Sequence, residues 1–72
     1  MNWNKNLIGE NAGTVWRALH NSTMSWEELL KSTRLEPLEL ASAIGWLARE
    51  NKIYIYPNNR ILYFEIYQEY YY

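Results

Sequence analysis

The last third of the chain alternates apolar and polar side chains, a pattern typical of two short antiparallel strands. The strands flank Asn58-Asn59, and a two-residue turn at these asparagines would fix the register of the pairing. The pairs on one face would then be Ile55 with Leu62 and Ile53 with Phe64. We expect this apolar face of the hairpin to cover a core.

The opposite face of the same hairpin is predicted to be open to solvent. Its pairs would be Lys52 with Glu65, Tyr54 with Tyr63, and Tyr56 with Ile61. All seven tyrosines of the chain occur from Tyr54 onward. The face is therefore rich in aromatic side chains.

A helical pattern precedes the strands near the start of the chain. Apolar residues recur at helical spacing at Ile8, Ala12, Val15, Trp16 and Leu19. This stripe predicts a first helix from about residue 6 to 20. Gly9 and Gly13 lie four apart within it, and each costs up to about 1 kcal/mol relative to alanine. Close approach of another backbone would explain them, and sequence drift would do so equally well.

A short extended segment and a second helix follow. Ser22-Thr23-Met24 could add a third strand beside the hairpin. Ser25 and Glu28 have the spacing of a capping box, with Met24 and Leu29 at the staple positions. We predict a second helix from about Trp26 to Ser32.

A third helix is predicted to begin at Pro37, because proline suits the first helical position and the turn Thr33-Arg34-Leu35 precedes it. The predicted inward residues are Leu40, Ile44 and Leu47, with Ala41 and Ala48 beside them. The predicted outer stripe is Glu39, Ser42, Trp46 and Arg49. Three helices followed by a hairpin indicate an α+β winged helix-turn-helix, in which the outer stripe of the third helix would face the major groove.

The chain is expected to form a single domain over residues 1–72, with a folded core at about 6–67 and a possible tail at 68–72. Two segments also resemble a known family. Residues 8–16 with Leu19, and residues 43–53, are similar to small prokaryotic winged helix-turn-helix domains of unknown function. The resemblance spans helix 1, helix 3 and the first wing strand, and it implies the same fold. By analogy with other winged helices it also implies DNA binding.

Composition narrows the functional classes. Seven Lys and Arg residues against eight Asp and Glu residues argue against the strong uniform attraction on which many nucleic-acid-binding domains rely. From Glu36 onward there are three cations and five carboxylates. There is no cysteine, and the start lacks the apolar run of a signal peptide. A cytoplasmic protein is the expectation.

Catalysis has little support in the sequence. His20 is the single histidine, and no cysteine, serine-histidine-acid set or phosphate-binding glycine loop accompanies it. Adjacent Glu27 and Glu28 diverge on a helix. No cluster has metal-ligand spacing. We therefore predict a protein that is not an enzyme, with no catalytic, cofactor-binding or metal-binding residues.

Two functions remain. In the first, duplex DNA is the partner, and the residues predicted to face it are Arg34, Ser42, Trp46, Arg49 and Arg60. For each arginine a solvated surface position is the commoner alternative. Trp46 could also pack on helix 2 or join an interface.

In the second function the protein is a homodimer or another protein-interaction module that keeps the fold without binding DNA. The predicted interface is Tyr54, Tyr56, Ile61, Tyr63 and Tyr67. Its alternatives are a tail that folds back over this face, or tyrosines that are half exposed to water. Stacking of single-stranded nucleic acid on these rings would need interleaved cations, and Lys52 is the one cation on the face.

Overall fold

The predicted order of helices and strands is confirmed. The computed structural model describes residues 5–67, so the predicted tail at 68–72 lies outside the described residues. The elements are α1 (Lys5–Ala18), β1 (Met24–Ser25), α2 (Trp26–Thr33), α3 (Pro37–Arg49), β2 (Ile53–Asn58) and β3 (Ile61–Ile66). The strands form one antiparallel sheet in the order β1-β3-β2. Three helices with a hairpin wing are the winged helix-turn-helix architecture expected from the sequence.

The junction between β1 and α2 forms as its sequence predicts. Ser25 Oγ accepts a hydrogen bond from the Glu28 N–H at 3.2 Å, and the Glu28 carboxylate accepts one from the Ser25 N–H at 2.8 Å. This reciprocal pair satisfies two donors that the helix start would otherwise leave without partners. Ser25 also pairs with Tyr63 in the sheet. One residue therefore ends the strand and begins the helix.

The hairpin turn lies one residue later than predicted. Asn59 and Arg60 form it, with φ values of 53° and 67°, and Asn58 pairs with Ile61. Positive φ at both central residues is the signature of a type I′ turn, whose twist matches that of the flanking strands. The predicted turn at Asn58-Asn59 is wrong.

Proline explains the position of the turn. The strand residues that flank a two-residue turn exchange both backbone hydrogen bonds. A turn at Asn58-Asn59 would put Pro57 in that position, and proline has no N–H to donate. In the observed register Pro57 faces Leu62 at a position without ladder hydrogen bonds, on the edge strand β2.

Every predicted cross-strand partner changes as a result, whereas the two faces do not. On the apolar face the pairs are Ile53 with Ile66, Ile55 with Phe64, and Pro57 with Leu62. On the other face they are Tyr54 with Glu65, and Tyr56 with Tyr63. The register has moved by two residues, and because side chains alternate with a period of two, each stays on its predicted side.

The core lies where the three helices meet the inner end of the hairpin. Its buried apolar residues are Ala12, Val15, Leu19, Leu29, Leu40, Ala43, Ile44, Leu47, Ile53 and Phe64. Two predictions about this core are wrong. Ala41 is exposed, and Ala43 takes the predicted place in the core. Trp16, which was predicted on the apolar stripe of the first helix, lies at the rim of the core with 38% of its surface exposed.

Candidate nucleic-acid interface

The turn between α2 and α3 projects the first candidate cation. Arg34 adopts a left-handed conformation with φ of 59°, and its N–H donates to the Leu30 carbonyl at 3.0 Å, which closes α2. Its side chain is exposed. Helix α3 then begins with Pro37 at its first turn. Arg34 therefore lies immediately before the helix that a helix-turn-helix presents to DNA.

The first turn of α3 uses one of its carboxylates internally. Glu39 Oε1 accepts a hydrogen bond from the Glu36 N–H at 2.9 Å, and Glu39 is half-buried. This carboxylate satisfies a backbone donor at the helix start, where negative charge also favours the helix dipole. Glu39 is therefore a capping residue rather than part of an exposed acidic surface.

The surface of α3 that faces solvent differs from the predicted stripe. We call Leu38, Ala41, Gly45 and Arg49 the outward stripe, since all four are exposed and recur at helical spacing. Leu38 is 66% exposed, and a Cβ atom at Gly45 would have no neighbour within 4 Å. The stripe contains no carboxylate. Arg49 is the one residue that the predicted stripe and the outward stripe have in common.

Ser42 and Trp46 are turned away from this stripe. Ser42 is half-buried, and its hydroxyl donates to the Leu38 carbonyl at 2.9 Å. Trp46 is half-buried and packs against the core, and its Cζ2 atom would lie 3.9 Å from a Cβ atom at Gly9. The indole therefore lies beside α1. The prediction that Trp46 lies on the outer stripe is wrong.

The wing tip carries the last candidate cation. Arg60 is exposed at the second position of the type I′ turn. Two exposed asparagines, Asn58 and Asn59, precede it. The tip is thus a narrow, polar turn that bears one guanidinium group.

The predicted interface residues share one face of the wing, which we call the tyrosine face: Tyr54, Tyr56, Ile61, Tyr63 and Tyr67. Tyr54, Tyr56 and Ile61 are exposed, and the other two are half-buried. The Tyr54 and Tyr67 ring centroids are 4.8 Å apart, and those of Tyr56 and Tyr63 are 6.2 Å apart. The rings therefore pack on one another along the face instead of standing apart.

Metal sites and membrane-spanning helices were also sought among the described residues. Within residues 5–67 no group of three His, Asp or Glu side chains could hold a metal ion. None of the helices in that range is long and apolar enough to cross a membrane. The DNA-facing and interface residues predicted from the sequence lie on α3, on the turn before it and on the wing.

Comparison with known proteins finds a family that matches this chain. The family model described as "Winged helix-turn-helix domain (DUF2582)" matches residues 1–66. The uncharacterized protein MJ1608 of Methanocaldococcus jannaschii is 36% identical over 61 residues, which cover 81% of this chain and 84% of that protein.

Two solved structures share the fold. The solution NMR structure of BT2368 from Bacteroides thetaiotaomicron has a TM-score of 0.80 and 38% identity, and the match covers 89% of this chain and 79% of that one. The crystal structure of the transcriptional regulator HlyU from Vibrio vulnificus has a TM-score of 0.77 at 23% identity. That match covers 83% of this chain and 62% of HlyU, and at this identity it shows the fold alone.

Proposed function

Because this chain belongs to the winged helix-turn-helix domain family DUF2582, we propose that it binds duplex DNA in a role related to transcription and catalyses no reaction. The observation that carries the proposal is the outward stripe of α3, which is exposed and free of carboxylates. The regulator HlyU has the same fold, which supports the class of function. Such a role would place the protein in the cytoplasm.

The outward stripe suits close approach to a groove. Ala41 and Gly45 have no bulk to hold the helix away from the base edges, and Leu38 and Ala41 offer methyl groups to thymine. The outer stripe predicted from the sequence included the carboxylate of Glu39, which would repel phosphate. In the structure this carboxylate instead caps the start of α3. Exposed Glu36 and Glu50 still flank the helix and will oppose binding.

Phosphate contacts would come from exposed arginines at both ends of α3 and on the wing. Arg34 precedes the helix, Arg49 ends it, and Arg60 is at the wing tip. Three phosphate contacts predict a log-log slope of affinity against salt of about −3 for one copy. We expect weak binding by one copy that is lost at moderate salt.

The test is a titration of isotopically labelled protein with generic duplex DNA at low salt. The backbone amides and the four tryptophan indole signals would be followed. Shifts confined to α3 and the Arg60 turn, and reversed by salt, are expected. An unchanged spectrum at high DNA excess would refute the proposal.

Matched variants locate the contact. Ala41→Glu places a carboxylate on the outward stripe and should abolish binding, whereas Ala41→Gln, of similar size, should retain most of it. Arg60→Gln should weaken binding and lower the salt slope by about 1, because one phosphate contact is lost. Lys5→Gln removes the same charge from α1 and serves as the control. Equal effects of Arg60→Gln and Lys5→Gln would remove the wing from the interface.

The second candidate is a homodimerising interaction module that uses the tyrosine face. The observation in its favour is that Tyr54 is 49% exposed and Ile61 47% exposed, although both have apolar bodies. Tyr54→Glu combined with Tyr63→Glu should then convert a dimer to a monomer. Sedimentation that shows an unchanged dimer in this double variant would exclude the tyrosine face.

A further inference from the structure

A groove of about 320 Å³ lies between α1 and α3, lined by residues outside both surfaces described above. Gly9 and Gly13 line its α1 side together with Ala12 and Trp16, and Trp46 of α3 forms part of the opposite wall. Neither glycine is close to a backbone of another element, because the single neighbours within 4 Å of their Cβ positions are side-chain atoms of Trp46 and Arg17. A Cβ atom at Gly9 would make an ordinary contact with Trp46, and one at Gly13 would require the exposed Arg17 side chain to move by a few tenths of an ångström.

Trp16 itself is only partly covered. It is 38% exposed, and the His20 ring lies beside it, with centroids 6.3 Å apart. Residues 9, 13 and 16 lie on one flank of the exposed face of α1, because their spacing of four and three returns to the same side of a helix. The flank thus carries a large apolar side chain next to two glycines, and the exposed Arg17 guanidinium lies 3.3 Å from the Cβ position of Gly13.

Charges occupy the neighbouring flank of the same face. Glu10 and Arg17 are both exposed and seven residues apart, which is close to two helical turns. The midpoint between them lies at Gly13-Thr14. A second α1 that ran antiparallel across this midpoint would bring Arg17 of one copy opposite Glu10 of the other, twice.

We propose that α1 packs antiparallel against α1 of a second copy about a twofold axis near Gly13-Thr14. In this arrangement the partner's Trp16 falls between Gly9 and Gly13 and enters the groove. The position of Trp16 follows from the same midpoint that pairs the charges. The pairing of opposite charges and the placement of Trp16 against the two glycines are thus compatible with one register.

The groove suits the indole of the partner's Trp16. Small residues at helix contacts let a large side chain enter between the turns, and tryptophan is the residue type most enriched among those that dominate binding energy. Lys52 also lines the groove, and a lysine ammonium near an indole face adds a cation-π attraction. Burial of Trp16 in both copies would cover the largest apolar side chain that α1 exposes.

Charge selects the antiparallel arrangement over the parallel one. In a parallel pair Glu10 would face the partner's Glu10, and Arg17 the partner's Arg17, so that both contacts would be repulsive. The antiparallel pair makes both contacts attractive. A twofold dimer would also double the arginines available to DNA, but the inference does not depend on DNA binding.

Sedimentation velocity of the full 72-residue chain, without DNA, tests the proposal by charge exchange. Wild type should dimerise between about 10 μM and 1 mM. Arg17→Glu alone and Glu10→Arg alone should each weaken the dimer about tenfold or more, because like charges then meet twice. The double variant Glu10→Arg with Arg17→Glu should restore it. A wild type that stays monomeric throughout this range would overturn the proposal.

A second set of variants tests the fit of Trp16 against the two glycines. Trp16→Ala, which removes the indole, and Gly13→Leu, which fills the space that the indole would enter, should each weaken the dimer about thirtyfold. The amide spectrum of each variant checks that the fold persists, and the charge-exchange variants report on the same contact with no change of the core. A dimer that survives Trp16→Ala and Arg17→Glu but is lost in Tyr54→Glu with Tyr63→Glu would overturn the α1 contact and favour the tyrosine face.

Discussion

Most apolar side chains of the three helices are buried or half-buried, apart from Trp16, Leu38 and Ala41, whereas those on the outer half of the wing are exposed. Leu29 and Leu40 in the helices are fully buried. In the wing, Ile55 is 41% and Leu62 48% exposed on the face that was expected to cover a core, and the tyrosine face is exposed as well. Ile53 at the inner end is buried, and so is Phe64, which pairs with exposed Ile55 but lies on the central strand β3.

This difference shows that an apolar face predicted from alternation need not be buried along its whole length. The core covers this face at the inner end of the hairpin and at Phe64 on the central strand β3, and it leaves Ile55 on the edge strand β2 and Leu62 near the tip exposed. Strands that are apolar on both faces usually lie between two layers. The outer wing has no second layer over its tyrosine face, so it leaves apolar side chains such as Tyr54 and Ile61 exposed where a partner could cover them.

The largest expected effect separates two leucines of α3. Leu40→Ala should destabilise the protein by about 3 kcal/mol, because it leaves a cavity among fully buried side chains. Leu38→Ala, at a 66% exposed position of the same helix, should change stability by less than about 0.5 kcal/mol. Urea unfolding followed by circular dichroism measures both. Similar losses for the two variants would mean that the outward stripe is covered.

The same comparison can be made within β2. Ile53→Ala removes a buried side chain at the inner end of the wing and should cost about 2 to 3 kcal/mol. Ile55→Ala, two residues toward the tip on the same face, should cost less than about 1 kcal/mol. Denaturant midpoints at low protein concentration provide the measurement. A cost at Ile55 that grows with protein concentration would show that a second copy covers the outer wing.

Most of the fold could be predicted because its strongest signals are local. The spacing of Ser25 and Glu28 fixes the start of α2, and Pro37 fixes that of α3. The two faces of the wing survived a misplaced turn, since the register moved by an even number of residues. The turn itself could have been placed from Pro57, whose missing N–H excludes it from the closing pair.

The outward stripe was harder to predict because the sequence of α3 offers three alanines to the core. Ala41, Ala43 and Ala48 are nearly equivalent in an apolar pattern, so the pattern does not decide which flank is buried. The choice is made by packing against α1, which places Trp46 beside Gly9. Which flank of α3 is buried therefore depends on how two helices pack together, and the apolar periodicity of a single helix does not show this.

A smaller effect is expected where the two regions join. Ser25→Ala removes the side-chain half of the capping box and should cost about 1 kcal/mol, because a helix-start N–H loses its partner. Ser32→Ala, at an exposed position of the same helix, is the matched control and should be close to neutral. Thermal unfolding of both variants checks the difference. Equal melting temperatures would show that β1 pairing, rather than the cap, holds this junction.

The smallest expected effect is a gain in stability at the wing tip. Arg60 has a positive φ, which costs an L residue other than glycine about 1 kcal/mol or more. Asparagine followed by glycine is the favoured type I′ pair, so Arg60→Gly should stabilise the protein by about 0.5 kcal/mol after the entropy of the unfolded glycine is counted. Arg60→Ala removes the same charge but keeps the strain and should not stabilise. If Arg60 contacts phosphate, both variants should weaken DNA binding equally while their unfolding midpoints differ, which separates the guanidinium from the turn. A glycine variant that is more stable and binds DNA as wild type does would show that the tip keeps a strained arginine for some purpose other than phosphate contact.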